Sequence, residues 1–221
     1  MGLINLLQND PTLFLLIAIS LIFALCVHEF SHGVIAYQCG DDTAYRKGRL
    51  TLNPINHLDP IGSLMILLIG VGYAKPVPVN PYNLKNPRID MIKIAAAGPI
   101  SNFILALLGS LFFVILWKVD MNTDSSKLFF NYFIMINIYL GLFNLIPIHP
   151  LDGGQIFGNF ISKYNPDIFR QLYQYGPKVL IGIILFGLFT GFSIIGLVIG
   201  YPAQLIFGFF MRLMDYLTFF L

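Results

Sequence analysis

The sequence predicts an all-α polytopic membrane protein, a bundle of four to five transmembrane helices. Hydrophobic residues make up 57% of the 221 residues, charged residues make up only 11%, and the mean hydropathy is +0.75. Soluble domains carry about 25% charged residues. The apolar residues form long stretches, several of which are near or above the roughly 20 residues that a helix needs to cross the hydrocarbon.

Four of these stretches are predicted to span the membrane, at residues 11–37, 91–117, 128–147 and 179–200. A fifth apolar stretch, 203–221, carries Arg212 and Asp215 three residues apart, where helical side chains can pair. We expect this stretch either to cross the membrane or to lie along its surface. Because the polar connections are short, residues 1–221 are predicted to form a single membrane-embedded domain.

The segment His28-Glu29-Phe30-Ser31-His32 lies at the end of the first predicted span and contains the only glutamate of the chain. On a helix, positions i and i+4 share a face, so His28 and His32 can both offer imidazole nitrogens to one zinc ion while Glu29 approaches the metal-bound water. Histidines in a membrane helix are costly unless paired, which favours a metal site over core packing. The pattern predicts metal-dependent hydrolysis inside a membrane.

A catalytic zinc ion usually takes three protein ligands, so the two histidines need a partner. The chain has no second glutamate, and Gln38 occupies the position of the third histidine in the extended motif. The candidates are His57, His149 and the aspartates. Asp152 fits best because two prolines before it break the helix and two glycines after it allow a close backbone approach. The alternative role for Asp152 is that of a helix N-cap.

Residues 61–74 form an apolar segment of 14 residues, which as a helix would reach only about 21 Å and is short for a crossing. If the segment dips into the membrane and returns, ten of the thirteen Lys and Arg residues lie on one face. The positive-inside rule identifies that face, with the motif end of the first span, as cytosolic. We therefore expect a re-entrant or short β segment near residues 61–80, lining the site.

Three segments resemble the site-2 protease family of intramembrane zinc proteases: HEFSH at 28–32, AGPISN at 97–102 and NLIPIHPLDGG at 144–154. The resemblance covers roughly residues 12–160 and indicates a small form without the regulatory domains that some members carry. His149 departs from the pattern, because relatives usually have an apolar residue or proline there.

The resemblance implies that His28, His32 and Asp152 bind one zinc ion per chain and that Glu29 is the catalytic base. It also implies that Asn144 helps to hold the substrate or the transition-state oxygen. The alternative for Asn144 is ordinary hydrogen bonding between helices. The expected substrates are transmembrane proteins or peptides in the lipid bilayer of the cell membrane, cleaved in or near their transmembrane segments.

Two other classes of membrane protein are compatible with the same residues. A zinc-binding or transport protein without peptidase activity could use them as a transit site, although the extracytosolic half has few intramembrane polar groups to form a path. A scaffold could retain the site without catalysis. The basic residues form no dense patch, which excludes a nucleic-acid partner. Cys26 and Cys39 are expected to pack rather than to form a disulfide, and the oligomeric state is left open.

Overall fold

The part of the chain that the structure describes, residues 3–220 of a computed structural model, is all-α. Its α-helices are α1 (Ile4–Asn9), α2 (Pro11–Gln38), α3 (Thr43–Arg46), α4 (Pro60–Ile69), α5 (Pro87–Lys118), α6 (Asp124–Asn144), α7 (Asp152–Ile161), α8 (Pro166–Thr190) and α9 (Ile194–Phe220). Short 3-10 turns lie at Pro54–Asn56 and Pro81–Asn83. Five of the helices, α2, α5, α6, α8 and α9, are long and apolar enough to cross a membrane. The chain is therefore a multi-pass membrane protein.

The starts of the long helices follow local chemistry. A proline occupies the first turn of α2, α4, α5 and α8, where its missing N–H costs no hydrogen bond. Asp10 caps α2 by accepting from the Leu13 N–H at 3.0 Å, and Asn165 caps α8. Thr123 and Ser126 form a reciprocal capping box at the start of α6.

The helices α5, α6 and α9 enclose the largest apolar cluster. Ala106 and Ile134 are fully buried within it, and Met214 of α9 covers one end. Close approach between α5 and α6 depends on small residues, because an added Cβ at Gly109 would lie 2.8 Å from the Phe133 ring. Small residues at such contacts are typical of membrane helix pairs.

The predicted spans 11–37, 91–117 and 128–147 overlap α2, α5 and α6, but the predicted span 179–200 is wrong. Helix α8 begins at Pro166 and ends at Thr190, and Gly191 then takes a left-handed conformation with φ +74. Helix α9 continues from Ile194 through the stretch that we expected to begin at 203. Residues 179–221 are apolar almost throughout, so hydropathy alone could not place the turn between the two helices.

The short β segment expected near residues 61–80 is absent among the described residues. Helix α4 occupies its first part, and the extended part makes one isolated antiparallel bridge, between Leu58 and Ala74. The Lys75 N–H donates to the His57 carbonyl at 2.8 Å, so the two ends of the segment from His57 to Lys75 lie side by side. Prolines at 76, 78 and 81 lack the N–H groups that a strand needs, which explains why no ladder continues from the bridge.

Candidate metal centre

The first turn of α7 meets one face of α2 at three polar side chains. The Nε2 atom of His28 lies 3.1 Å from Asp152 Oδ2, and the Nε2 atom of His32 lies 3.4 Å from Asp152 Oδ1. The three groups can present donor atoms that all lie within 4.8 Å of one another. Two imidazole nitrogens and one carboxylate oxygen form a common ligand set of catalytic zinc.

Hydrogen bonds on the far side of each imidazole direct its Nε2 atom toward Asp152. The Nδ1 atom of His32 lies 2.6 Å from the Ile94 carbonyl oxygen, which only accepts, so this Nδ1 carries the proton. The Nδ1 atom of His28 lies 2.7 Å from Asn102 Oδ1, likewise an acceptor. Neutral rings in these tautomers turn both Nε2 lone pairs toward the carboxylate.

This arrangement of lone pairs is satisfied by a cation. In the neutral state in which histidine binds a metal, the two rings have no proton on Nε2 to offer the carboxylate, and Asp152 Oδ2 is buried without a hydrogen-bond partner. An orphaned buried carboxylate oxygen is costly. A metal ion bound by the three groups removes that cost, so the residues present fit a zinc ion.

An amide network extends from His28 across three helices. The side-chain nitrogen of Asn102 donates to Asn137 Oδ1 at 3.0 Å, and the Asn137 nitrogen donates to the Phe133 carbonyl at 2.9 Å. Both asparagines are fully buried. Because its nitrogen is engaged in this way, Asn102 must present its oxygen to His28.

Gly98 on α5 leaves the space that the two imidazoles fill. A Cβ added at this position would lie 2.5 Å from the Nε2 atoms of both His28 and His32. Such a distance is far inside van der Waals contact, so only glycine lets α5 pack against the rings at their Nε2 atoms.

Asp152 is the first helical residue of α7, and its position follows from the turn before it. The N-cap is Leu151 and makes no side-chain capping bond, so the alternative that Asp152 is an N-cap is wrong. The following glycines let the turn fold back closely: a Cβ at Gly153 would lie 2.2 Å from the Leu145 carbonyl, and one at Gly154 would lie 2.4 Å from the His149 nitrogen.

A cavity of about 900 Å³ opens beside the three candidate ligands and is also lined by Glu29 and Asn144. Glu29 is half-buried, and its Oε2 accepts a hydrogen bond from the Val77 N–H at 2.9 Å. Asn144 donates from Nδ2 to the Leu140 carbonyl of its own helix at 3.0 Å. That bond does not join two helices, and it leaves the second N–H of the Asn144 amide for another acceptor.

The other candidate ligands lie apart from this group. His57 is fully buried, and its Nε2 lies 2.7 Å from the Thr51 carbonyl oxygen. His149 lines the cavity but stacks on Tyr173, with ring centroids 4.0 Å apart, and burial lowers its pKa. Cys26 and Cys39 are buried and form no disulfide.

Several residues of the site were not singled out by sequence reasoning. Asn102 and Gly98 lie in the AGPISN segment, which we used only as a marker of resemblance, and Asn137 lies in a predicted span. Polar amides inside apolar helices are a recognisable signal, because an unpaired amide is costly there. The Val77 contact had no such signal, since it uses a backbone N–H.

Most of the sequence matches that of known proteins. Residues 16–128 and 120–186 match the family Peptidase_M50, described as peptidase family M50. The chain therefore belongs to peptidase family M50, the site-2 protease family, and is a zinc metalloprotease.

Relatives in other organisms agree with this assignment. The chain is 39% identical over 175 residues to YwhC of Bacillus subtilis (77% of this chain, 79% of YwhC) and 28% identical over 180 residues to Rip2 of Mycolicibacterium smegmatis (78% of this chain, 67% of Rip2). It is 25% identical over 157 residues to MJ0392 of Methanocaldococcus jannaschii (71% of this chain, 38% of MJ0392). MJ0392 is named a zinc metalloprotease, and the other two carry that designation provisionally. No solved structure matches the chain.

Proposed function

We propose that this protein is a zinc-dependent intramembrane endopeptidase that hydrolyses peptide bonds in or near the transmembrane segments of membrane proteins. Residues 1–221 act as one membrane-embedded domain, with one zinc ion per chain held by His28, His32 and Asp152. The observation that carries the proposal is the convergence of these donor atoms from α2 and α7, with an unpartnered Asp152 oxygen among them. Because α2 is long and apolar enough to cross a membrane, two of the ligands belong to a candidate span.

Glu29 and Asn144 carry the proton transfer and the oxyanion contact. When bound, zinc supplies a Lewis acid that polarises the scissile carbonyl and makes a coordinated water more acidic. Glu29 accepts a proton from the attacking water and returns it to the leaving amine. Asn144 donates its second amide N–H toward the oxygen on which negative charge develops. Both residues line the cavity that contains the candidate ligands.

The proposed location is the cell membrane, with the active site toward the cytosol. The stretch from Thr12 to Val27 corresponds to about 24 Å of helix, which places His28 within the bilayer but near one of its faces. Arg49 donates a hydrogen bond to the Lys75 carbonyl at 2.8 Å, so two basic loops lie at the same end. Their shared position supports a re-entrant segment near residues 61–80 and a cytosolic face.

Substrates must unwind before they can be cleaved, because the carbonyls of an intact helix are already hydrogen-bonded. The extended residues Pro76, Val77 and Val79 line the cavity, and they offer a surface beside which an extended peptide can lie. Transmembrane substrates whose helices contain glycine or proline near the cytosolic end should therefore be preferred.

The proposal is tested by changing Glu29→Gln, which keeps the size of the side chain but removes the base. We expect cleavage of a membrane-inserted reporter peptide in detergent to fall by about three orders of magnitude or more, because the nucleophile is no longer deprotonated. Metal analysis should still find one zinc ion per chain. His28→Ala serves as the second arm and should lose both zinc and cleavage.

Two results would contradict the proposal. Unchanged cleavage by the Glu29→Gln variant would remove Glu29 from the mechanism. Zinc flux into proteoliposomes, with no cleavage of any membrane-inserted peptide by the wild-type protein, would support a zinc transport protein instead. Removal of zinc by a chelator should stop cleavage, and addition of zinc should restore it.

A further inference from the structure

Asp41 is a buried carboxylate that lies outside the metal site. Its residue has no exposed surface, yet both oxygens are satisfied. They accept from the N–H and the hydroxyl of Thr43, from the Asn80 N–H at 2.7 Å and from the Asn83 amide at 2.9 Å. Burial raises the pKa of this carboxyl, but the hydrogen bonds outweigh it and hold the pKa below its usual value. Because buried polar groups are normally hydrogen-bonded, we describe Asp41 as an anchor that holds Thr43, Asn80 and Asn83 together.

The end of α2 fixes the direction of Asp41. Gly40 takes a left-handed conformation with φ +108, its N–H donates to the Tyr37 carbonyl at 3.1 Å, and the Asp41 N–H donates to the Ala36 carbonyl at 2.9 Å. This pair of bonds is the Schellman arrangement that ends many helices. Asp41 is thereby tied to the same helix that carries Glu29.

The segment that Asp41 holds is the segment that contacts Glu29. Three residues before Asn80, the Val77 N–H donates to Glu29 Oε2. Pro76 and Pro78 have no N–H, so Val77 is the only backbone donor among residues 76–78. Helix α2 and the turn that ends it therefore hold one extended segment by two carboxylates, Glu29 at Val77 and Asp41 at Asn80.

Little else holds this part of the segment in register. Among the described residues, the nearest β-bridge is the one between Leu58 and Ala74, just before this part, and Lys75 makes the adjacent hydrogen bonds to His57 and Arg49. Apart from the packing of Val79 against a cluster that includes Leu84 and Ile94, residues 76–79 depend on contacts with α2 and the turn that ends it. The side chain of Val77 is buried, and it packs beside Gly33, where an added Cβ would lie 3.4 Å from Val77 Cγ1.

We propose that Asp41 is a positioning residue for Glu29. It holds residues 77–80 at the register in which the Val77 N–H meets the Glu29 carboxylate, and this contact fixes the carboxylate within the cavity. Asp41 touches neither metal nor substrate and acts through the segment. The inference rests on the proposed role of Glu29 as the base. A misplacement of about 1 Å in such a group can cost about 100-fold in rate.

The test compares Asp41→Asn with its neighbour Asp42→Asn. Asp41→Asn replaces one carboxylate oxygen, which accepts hydrogen bonds, by an amide NH2 group that faces the N–H and O–H donors of the surrounding residues. Asp42, by contrast, lies at the surface and pairs with Arg46 at 2.6 Å. We expect Asp41→Asn to lower kcat on the membrane-inserted reporter peptide by about 10- to 100-fold, with KM and zinc content unchanged. Deuterium uptake of residues 77–80 should rise. Asp42→Asn should leave all four quantities within about twofold, as a surface ion pair contributes little.

A second variant, Asn83→Ala, removes the hydrogen bonds from this amide to Asp41 and to the Thr43 hydroxyl but keeps the Asp41 charge. We expect it to fold and to lower kcat severalfold in the same pattern, so it keeps the test decisive if Asp41→Asn does not fold. A loss of activity that only parallels loss of zinc or of folded protein would overturn the inference, since it marks a structural role. Full kcat in Asp41→Asn with an inactive Glu29→Gln would overturn the inference and leave the proposed function standing. Full activity in Glu29→Gln would overturn both.

Discussion

Helices α5 and α8 are both apolar enough to span a membrane, but they are held in place very differently. Helix α5 buries eleven of its 32 residues, among them Asn102 and Ser110, whereas α8 buries two of 25, Gly176 and Leu180. Between helices in lipid there is little hydrophobic driving force, so close approach and hydrogen bonds decide which helices are fixed. The comparison teaches that the candidate metal centre, with its ligands on α2 and α7, packs against the helix that has buried polar groups, while α8 forms a loosely attached wall of the cavity.

Replacing one glycine by alanine in each of the two helices should give the largest difference in zinc affinity between them. Gly98→Ala places a Cβ 2.5 Å from the nitrogens of both candidate histidine ligands. We expect zinc affinity to fall by about 100-fold or more, since the rings must move away from the metal. Gly182→Ala in α8 is the matched control, because nothing lies within 4 Å of its added Cβ. Alanine favours a helix over glycine by about 1 kcal/mol in either place, so equal zinc content in the two variants would contradict the assignment.

Removing an amide from α5 should have the next largest effect. In Asn102→Ala the Nδ1 proton of His28 loses its acceptor, and the ring can then turn or change tautomer. Loss of such a partner typically weakens metal binding by about 10- to 100-fold, which competition with a fluorescent chelator would measure. Thr190→Val in α8 removes a hydroxyl that donates to the Phe186 carbonyl and accepts from the Phe192 N–H, and it should leave affinity unchanged. A normal affinity in Asn102→Ala would show that the tautomer is fixed by other means.

The smallest effect is expected where the turn before α7 contacts α8. His149 stacks on Tyr173, and Gly176 lets α8 approach closely, since a Cβ there would lie 2.6 Å from the His149 carbonyl. His149→Ala should speed amide exchange at the start of α8 severalfold, because a stacked pair contributes about 1 kcal/mol. Zinc content should not change. His149→Phe keeps a ring for stacking and should preserve slow exchange; equal exchange in the two variants would show that the stack does not hold α8.

The sequence could predict the features of the site that depend on local backbone geometry, but not the contacts between distant residues. The i and i+4 spacing placed His28 and His32 on one face of a helix, and the prolines and glycines around Asp152 marked a turn beside it. These are local rules of backbone geometry. The contact between His28 and Asn102 joins positions 74 residues apart, and neither residue alone indicates its partner.

The predictions were wrong or incomplete where the local sequence carries little structural signal. The turn at Gly191 lies in an apolar region of nearly uniform hydropathy, so the predicted span 179–200 crossed it. Residues 61–80 were expected to form a re-entrant or short β segment, but the prolines of the extended part lack the N–H donors that a strand needs. The Asp41 anchor was also missed, because an aspartate in a turn is common and only the tertiary structure shows that it is buried.

The length of α5 links this site to the lipid around it. Its 32 residues make a helix of about 48 Å, well beyond the ~30 Å of an average hydrocarbon layer. Such a helix must tilt or project, and its Pro87 end, with Arg88 and Met91, lines the mouth of the cavity. Acyl chains of different length change how far that mouth stands out of the hydrocarbon. We therefore expect a change in bilayer thickness to alter how readily water and peptide reach the candidate metal site.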